Sequence, residues 1–220
     1  MSDLLWIDAF TVAPTPWKNG GGSTRELLAW TPDVHSEGDW ALRVSLADID
    51  RPGPFSSFDG IERHFAVLSG AGVLLRWADG RSLRMSPADP PLTFNGSDAP
   101  DCDLLDGTTT DLNVMARKAA GSVDLHVALA GSEWIWSGAG RGVFTRRDAI
   151  LDGAGPVSHF LMANSLLWCS GDRARKLSTW SLQPLPRSGE PASRPDDIGP
   201  LGYWIGFTPN FATTTAHDSP

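Results

Sequence analysis

Short alternating apolar segments recur along this chain at intervals of roughly 8–15 residues, separated by glycine, proline, aspartate and serine. No amphipathic stretch outlasts two helical turns. Trp40-Ala41-Leu42-Arg43-Val44-Ser45-Leu46 sets the pattern: Trp40, Leu42, Val44 and Leu46 share one face, while Ala41, Arg43 and Ser45 share the other. Arg63 to Leu68 and Val73 to Trp77 read as two further strands, and the intervening Ser69-Gly70-Ala71-Gly72 predicts a hairpin. In Asp111-Leu112-Asn113-Val114-Met115-Ala116-Arg117, the odd-numbered residues fall together. Ser122 to Leu129 and short segments around Trp134, Val143 and Leu167 continue the series. The rhythm predicts an all-β barrel or sandwich. From about Gln183 proline becomes frequent and periodicity fades until Pro200 to Phe207, so 183–220 is expected to be an irregular tail, its aromatic portion either docked on the body or disordered.

The 220 residues suffice for one large domain or two small halves. A net charge of −8 argues against a nucleic-acid binder, which would carry a basic stripe. No apolar run is long enough to span a membrane, and the first residues lack the basic and apolar regions of a signal peptide. Two distant cysteines, Cys102 and Cys169, fit a reducing compartment, so a cytoplasmic location is expected. Nucleotide-binding glycine loops and the Gly-x-Ser-x-Gly elbow are missing. His35, His64, His126, His159 and His217 never form a close ligand pair; each reads as structural or solvated, and no metal or cofactor is expected.

Chemistry concentrates in Trp17-Lys18-Asn19-Gly20-Gly21-Gly22-Ser23-Thr24-Arg25-Glu26. Three glycines free the backbone beside two cations and several hydrogen-bonding groups. In the strand that follows, Arg25 and Glu26 point to opposite faces. Arg25, on the parity of Ser23, is expected inward.

Four segments in order resemble the HutD/Ves family of cupin-type double β-barrels: the glycine segment, Trp40 to Ala47, Gly53-Pro54-Phe55-Ser56-Ser57-Phe58-Asp59-Gly60-Ile61-Glu62-Arg63, and Asp111 to Arg117. Ala41, Leu112 and Asp59 depart from residues frequent there. The resemblance implies a bicupin, or double-stranded β-helix, over 1–182, followed by the tail. It also implies a small-molecule binder, with ligand-sensing or regulatory roles linked to histidine utilisation or stress response. In a metal cupin, His-x-His and a Glu precede a Val-Leu-x-Gly turn. Counting back from Val67-Leu68-Ser69-Gly70, those positions hold Ser56, Phe58 and Arg63. Arginine repels a dication and attracts a carboxylate.

The expectation is a metal-independent cup for a small carboxylate. Its candidate lining residues are Lys18, Asn19, Arg25, Arg43, Ser45 and Phe55, with Ser56, Phe58, Arg63, Asn113, Met115 and Arg117. The assembly considered is a homodimer, without nucleic-acid or membrane partners. The alternative is a metal-free isomerase, lyase or hydrolase, with Asp111 as the best candidate base and Glu26 and His126 behind it.

Overall fold

The computed structural model describes residues 4–32, 40–171, 174, 178–185 and 200–210. Four antiparallel sheets form two halves. In the first half, the large sheet runs in the order β2 (Thr15–Pro16), β3 (Gly22–Trp30), β4 (Leu42–Ile49), β11 (Thr109–Arg117), β6 (Ile61–Ser69) and β9 (Leu92–Asn95). It faces a smaller sheet of β5 (Gly53–Pro54), β10 (Asp101–Leu104), β7 (Val73–Arg76) and β8 (Ser82–Met85). In the second half, β1 (Leu4–Asp8), β17 (Ser165–Ser170), β14 (Gly140–Thr145), β19 (Gly202–Pro209) and β12 (Gly121–Ala128) form the large sheet. Its smaller companion is β13 (Glu133–Trp136), β18 (Ser178–Pro184), β15 (Ala149–Asp152) and β16 (His159–Leu161). The molecule is an all-β, cupin-like double barrel, and no described helix is long and apolar enough to cross a membrane.

Three apolar clusters hold these sheets. Phe65, Val67, Val73, Leu75 and Trp77 fill the first barrel. Trp134, Trp180, Trp204, Leu151 and Leu182 fill the second. Between them, Leu42, Val44, Leu112 and Val114 on the back of the first large sheet meet Phe144, Leu166, Tyr203 and Ile205 on the back of the second. Leu42, Val44 and Leu46 of the apolar face read from the sequence are therefore inter-barrel core, whereas Trp40 packs against Arg117, and the Arg43/Ser45 face looks into the first barrel. Cys102 and Cys169 are buried, and neither forms a disulfide with a described residue.

Two expectations change. β6 and β7 are not a hairpin, because the chain crosses from the large sheet to the small one between them. Gly72 makes that corner at φ +101°, where a Cβ would sit 2.0 Å from the Met85 carbonyl oxygen. The expected irregular tail is also interrupted: Gly202–Pro209 is a regular strand, hydrogen-bonded between β12 and β14. β18 likewise runs through the 182/183 boundary to Pro184. Residues 186–199 and 211–220 of the expected tail lie outside the described residues, as do His35 and His217.

Candidate functional site

Strand register assembles the site. Because β11 lies between β4 and β6, side chains directly opposite one another share a face. Three rungs result: Arg43–Met115–Arg63, Ser45–Asn113–Phe65 and Ala47–Asp111–Val67. β3 places Thr24 beside Ala47, and β9 places Phe94 beside Arg63. The upper parts of these rungs form the floor of a cavity of about 550 Å³. Its wall is the segment carrying Phe55, Ser56 and Phe58, and its rim is the glycine turn with Lys18 and Asn19.

The glycine turn is pinned from both ends. Trp17 N–H donates to the Gly22 carbonyl at 2.9 Å, and Gly20 N–H donates to the Trp17 carbonyl at 3.0 Å. Asn19 Oδ1 accepts from Gly21 N–H at 3.0 Å, while Trp17 Nε1 donates to Thr24 Oγ1 at 2.8 Å. Gly22 is required by close approach, since a Cβ there would lie 2.1 Å from the Asp48 carbonyl oxygen and 3.0 Å from the Trp17 ring. Lys18 has no ion-pair partner among the described residues and sits at the mouth.

Arg63 is the centre of the cup. Only 4% of it is exposed, and its guanidinium carbon lies 5.0, 5.1 and 5.8 Å from the ring centroids of Phe55, Phe94 and Phe58. Nη1 donates to the Ser56 carbonyl at 3.3 Å and Nη2 to Asn113 Oδ1 at 2.8 Å, while the buried Nε has no partner. Asn113 Nδ2 donates in turn to Asp111 Oδ1. The result is a buried Arg63–Asn113–Asp111 relay on one face.

Burial dominates the protonation of both ends. It draws Arg63 down to about 10, against the pull of Asp111, so the guanidinium remains charged at neutral pH. It pushes the Asp111 carboxyl up to about 8, with Arg63 opposing and Asp48 reinforcing the shift. Near neutrality Asp111 is therefore largely protonated, and the cup carries an excess of positive charge. Arg43 is offset by Glu26, whose Oε2 lies 2.7 Å from Arg43 Nε.

The structure thus brings together Lys18, Asn19, Arg43, Ser45, Phe55 and Ser56 with Phe58, Arg63, Asn113 and Met115. Two candidates lie elsewhere. Arg25 pairs in register with Leu46 and points to the opposite face, bonded to Asp48 at 2.8 Å; Glu26 is the residue on the Arg43 side. Arg117 lies past the last rung, with its guanidinium 5.4 Å from the Trp40 ring and Nε donating to the Trp40 carbonyl at 3.2 Å. His64 faces away from Arg63, between Thr93 at 2.9 Å and Glu62 at 3.2 Å. Trp17, Thr24 and Phe94 were not among the candidates. The Trp17–Thr24 bond spans a seven-residue turn, a separation that only the turn geometry reveals. No group of three His, Cys, Asp or Glu side chains suited to a metal ion occurs among the described residues.

The HutD family model matches residues 9–181. The chain belongs to the HutD family. Among curated relatives, this HutD-family chain is 36% identical over 115 residues to an uncharacterised 21.2 kDa protein in the hutC 3′ region of Pseudomonas putida, covering 52% of the chain and 59% of that protein. It is 33% identical over 113 residues to protein Ves of Citrobacter koseri, covering 51% and 57%. The match therefore spans little more than half the length of either relative. Among solved structures, HutD from Pseudomonas fluorescens SBW25 superposes with a TM-score of 0.76 at 25% identity, covering 94% of this chain and 99% of that one. A Bacillus subtilis oxalate decarboxylase, at 10% identity and TM-score 0.55 over 96% and 79% of the two chains, shares the cupin fold.

Proposed function

We propose that the first-barrel cup of this HutD-family chain binds a small carboxylate-containing metabolite without a metal. The observation that carries the reading is Arg63: a guanidinium walled by three phenyl rings, with a donor unfilled, in a cup whose other cations are Lys18 and Arg43. A carboxylate would meet charge-assisted hydrogen bonds in a low-dielectric setting, while Ser45, Ser56 and Asn113 would fix its orientation. The donor set disfavours a dication, which would have to settle among three positive groups. The related HutD structure from Pseudomonas fluorescens is described as a formate condition, which is in keeping with an acid-binding cup. On this reading the cup serves a cytoplasmic ligand-sensing role in histidine utilisation or stress response; a relative encoded in the hutC 3′ region is in keeping with the former.

Calorimetric titration with formate, urocanate and formylglutamate tests this reading. Arg63→Met keeps an apolar fit among the rings and removes the charge. Its affinity for the best of these acids should fall by at least about a hundredfold. Unchanged affinity would refute the assignment. A second reading, a metal-free enzyme acting on an organic acid, is favoured by Asp111, a buried acid whose proton affinity suits general acid–base work near neutrality. Product formation followed by NMR, lost in Asp111→Asn while binding persists, would favour the enzyme.

A further inference from the structure

The back of the first large sheet is apolar along Leu42, Val44, Leu46, Leu112 and Val114, yet one end of it is charged. There Arg25, Asp48 and Thr110 meet Arg146, Arg147 and Asn164 of the second half around a cleft of about 440 Å³. The cup lies on the other side of the same strands: Asp48 and Thr110 face the cleft, while Ala47 and Asp111 face the cup. Strand alternation keeps the two cavities separate.

Among the described residues, three guanidinium groups and one carboxylate line this cleft. That carboxylate is fully engaged, with Asp48 Oδ2 bonded to Arg25 Nη1 at 2.8 Å and Oδ1 accepting from Thr110 Oγ1 at 2.8 Å. Arg146 is held by neutral groups, donating through Nη2 to the Leu68 carbonyl at 2.6 Å and through Nη1 to the Pro87 carbonyl at 3.3 Å. Its position is fixed without neutralising its charge. In a chain of net charge −8, a partly enclosed cleft in which Arg146 keeps its charge is a local positive field that attracts anions.

Two further observations fit an occupant rather than a mere joint. Asn164 is the only described non-glycine residue with positive φ, at +59°. Its backbone is clamped by Asn164 N–H donating to the Thr145 carbonyl at 2.7 Å and Ala9 N–H donating to the Asn164 carbonyl at 3.0 Å. Its side-chain amide lines the cleft without a hydrogen bond to any described residue. Phe10, on a single 3-10 turn capped by Asp8, stands 76% exposed at the cleft margin, while Ala9, Leu46 and Leu68 supply an apolar floor. An exposed phenyl ring beside convergent donors suits a ligand with both an apolar body and an anionic head.

We infer that the inter-barrel cleft at Arg25, Arg146 and Arg147 is a second ligand site, distinct from the cup, for a small organic dianion with an apolar body. Guanidinium forks recognise carboxylate and phosphate alike, so dicarboxylates and phosphate monoesters share the required chemistry. The test is calorimetric titration of full-length Arg63→Met protein, whose cup lacks its central charge, with phenyl phosphate, isophthalate and neutral benzamide. At least one dianion is expected to bind and benzamide is not, and the tighter dianion identifies the preferred head group. Adding Arg147→Gln should weaken that binding roughly ten- to hundredfold. Arg25→Gln should do likewise, but it also leaves Asp48 without its cation. Arg147→Gln, checked for an unchanged melting temperature, is therefore the deciding variant. The site is overturned if neither dianion binds at millimolar concentration or if Arg147→Gln binds as tightly as its parent. Because Arg147 lines the cleft and not the cup, its effect is independent of what the cup binds.

Discussion

Arg63 and Asp111 occupy one buried face without direct contact, and Asn113 carries the hydrogen bonding between them. Burial raises the Asp111 carboxyl from 3.8 to about 8, so the folded protein holds this proton more tightly than the unfolded chain does. The associated stability is fully present below about pH 4 and is lost as pH rises toward 8. Asp111→Asn retains an oxygen for Asn113 and should abolish that slope in urea unfolding measured across the range. Carboxylate affinity in the cup should fall above about pH 8 in the parent, where Asp111 adds a negative charge, and should stay level in Asp111→Asn. A parent affinity indifferent to pH up to 9 would contradict this account. The odd parity of Asp111, Asn113 and Met115 was legible in the sequence because a straight strand alternates. Which of Arg25 and Glu26 turns inward was not, because that depends on pairing register: Arg25 lies opposite Leu46 and Glu26 opposite Ser45. A bulge after Glu26 then lets Leu27 and Leu28 both be buried, a doublet that in retrospect marks broken alternation.

β19 is the element that sequence reading treated least well. Tyr203, Ile205 and Phe207 face the inter-barrel core while Trp204 faces the second barrel, and none is more than 2% exposed. A strand buried on both faces gives an unbroken apolar run, which period-two reading does not flag. At about 1.5–3 kcal/mol for each fully buried large side chain, ending the chain at residue 199 would remove on the order of 5–10 kcal/mol. That matches the whole stability of an ordinary domain. The truncated protein should lose its near-ultraviolet circular dichroism and its cooperative melt; a native spectrum would show β19 to be dispensable. The crossing from β6 to β7 escaped for a related reason. A short glycine loop between two strands looks the same whether they pair or pass to facing sheets, and only the contacts of Val73 with Met85 and Leu104 distinguish the two.

Across the whole molecule, the two barrels share a layer of side chains rather than a linker. Phe144 of the second half is fully buried in the same cluster as Leu42 and Leu112 of the first. Phe144→Ala should therefore cost about 3–5 kcal/mol and lower the melting of both halves together. Scanning calorimetry should show one transition with matching calorimetric and van't Hoff enthalpies. Two separated peaks, with only one displaced, would mean that the halves are energetically independent. The apolar faces that build this layer were visible in the alternation of Leu42, Val44 and Leu46, but their partner was not, because any apolar face could have covered them. Connectivity binds the halves as well: β1 opens the chain yet pairs along its length with β17, from Leu4 opposite Cys169 to Asp8 opposite Ser165. Cutting the coding sequence between β11 and β12 would strand that leading ribbon on the upstream fragment. The downstream fragment would be left with a raw selvedge at β17, an invitation to end-to-end polymerisation.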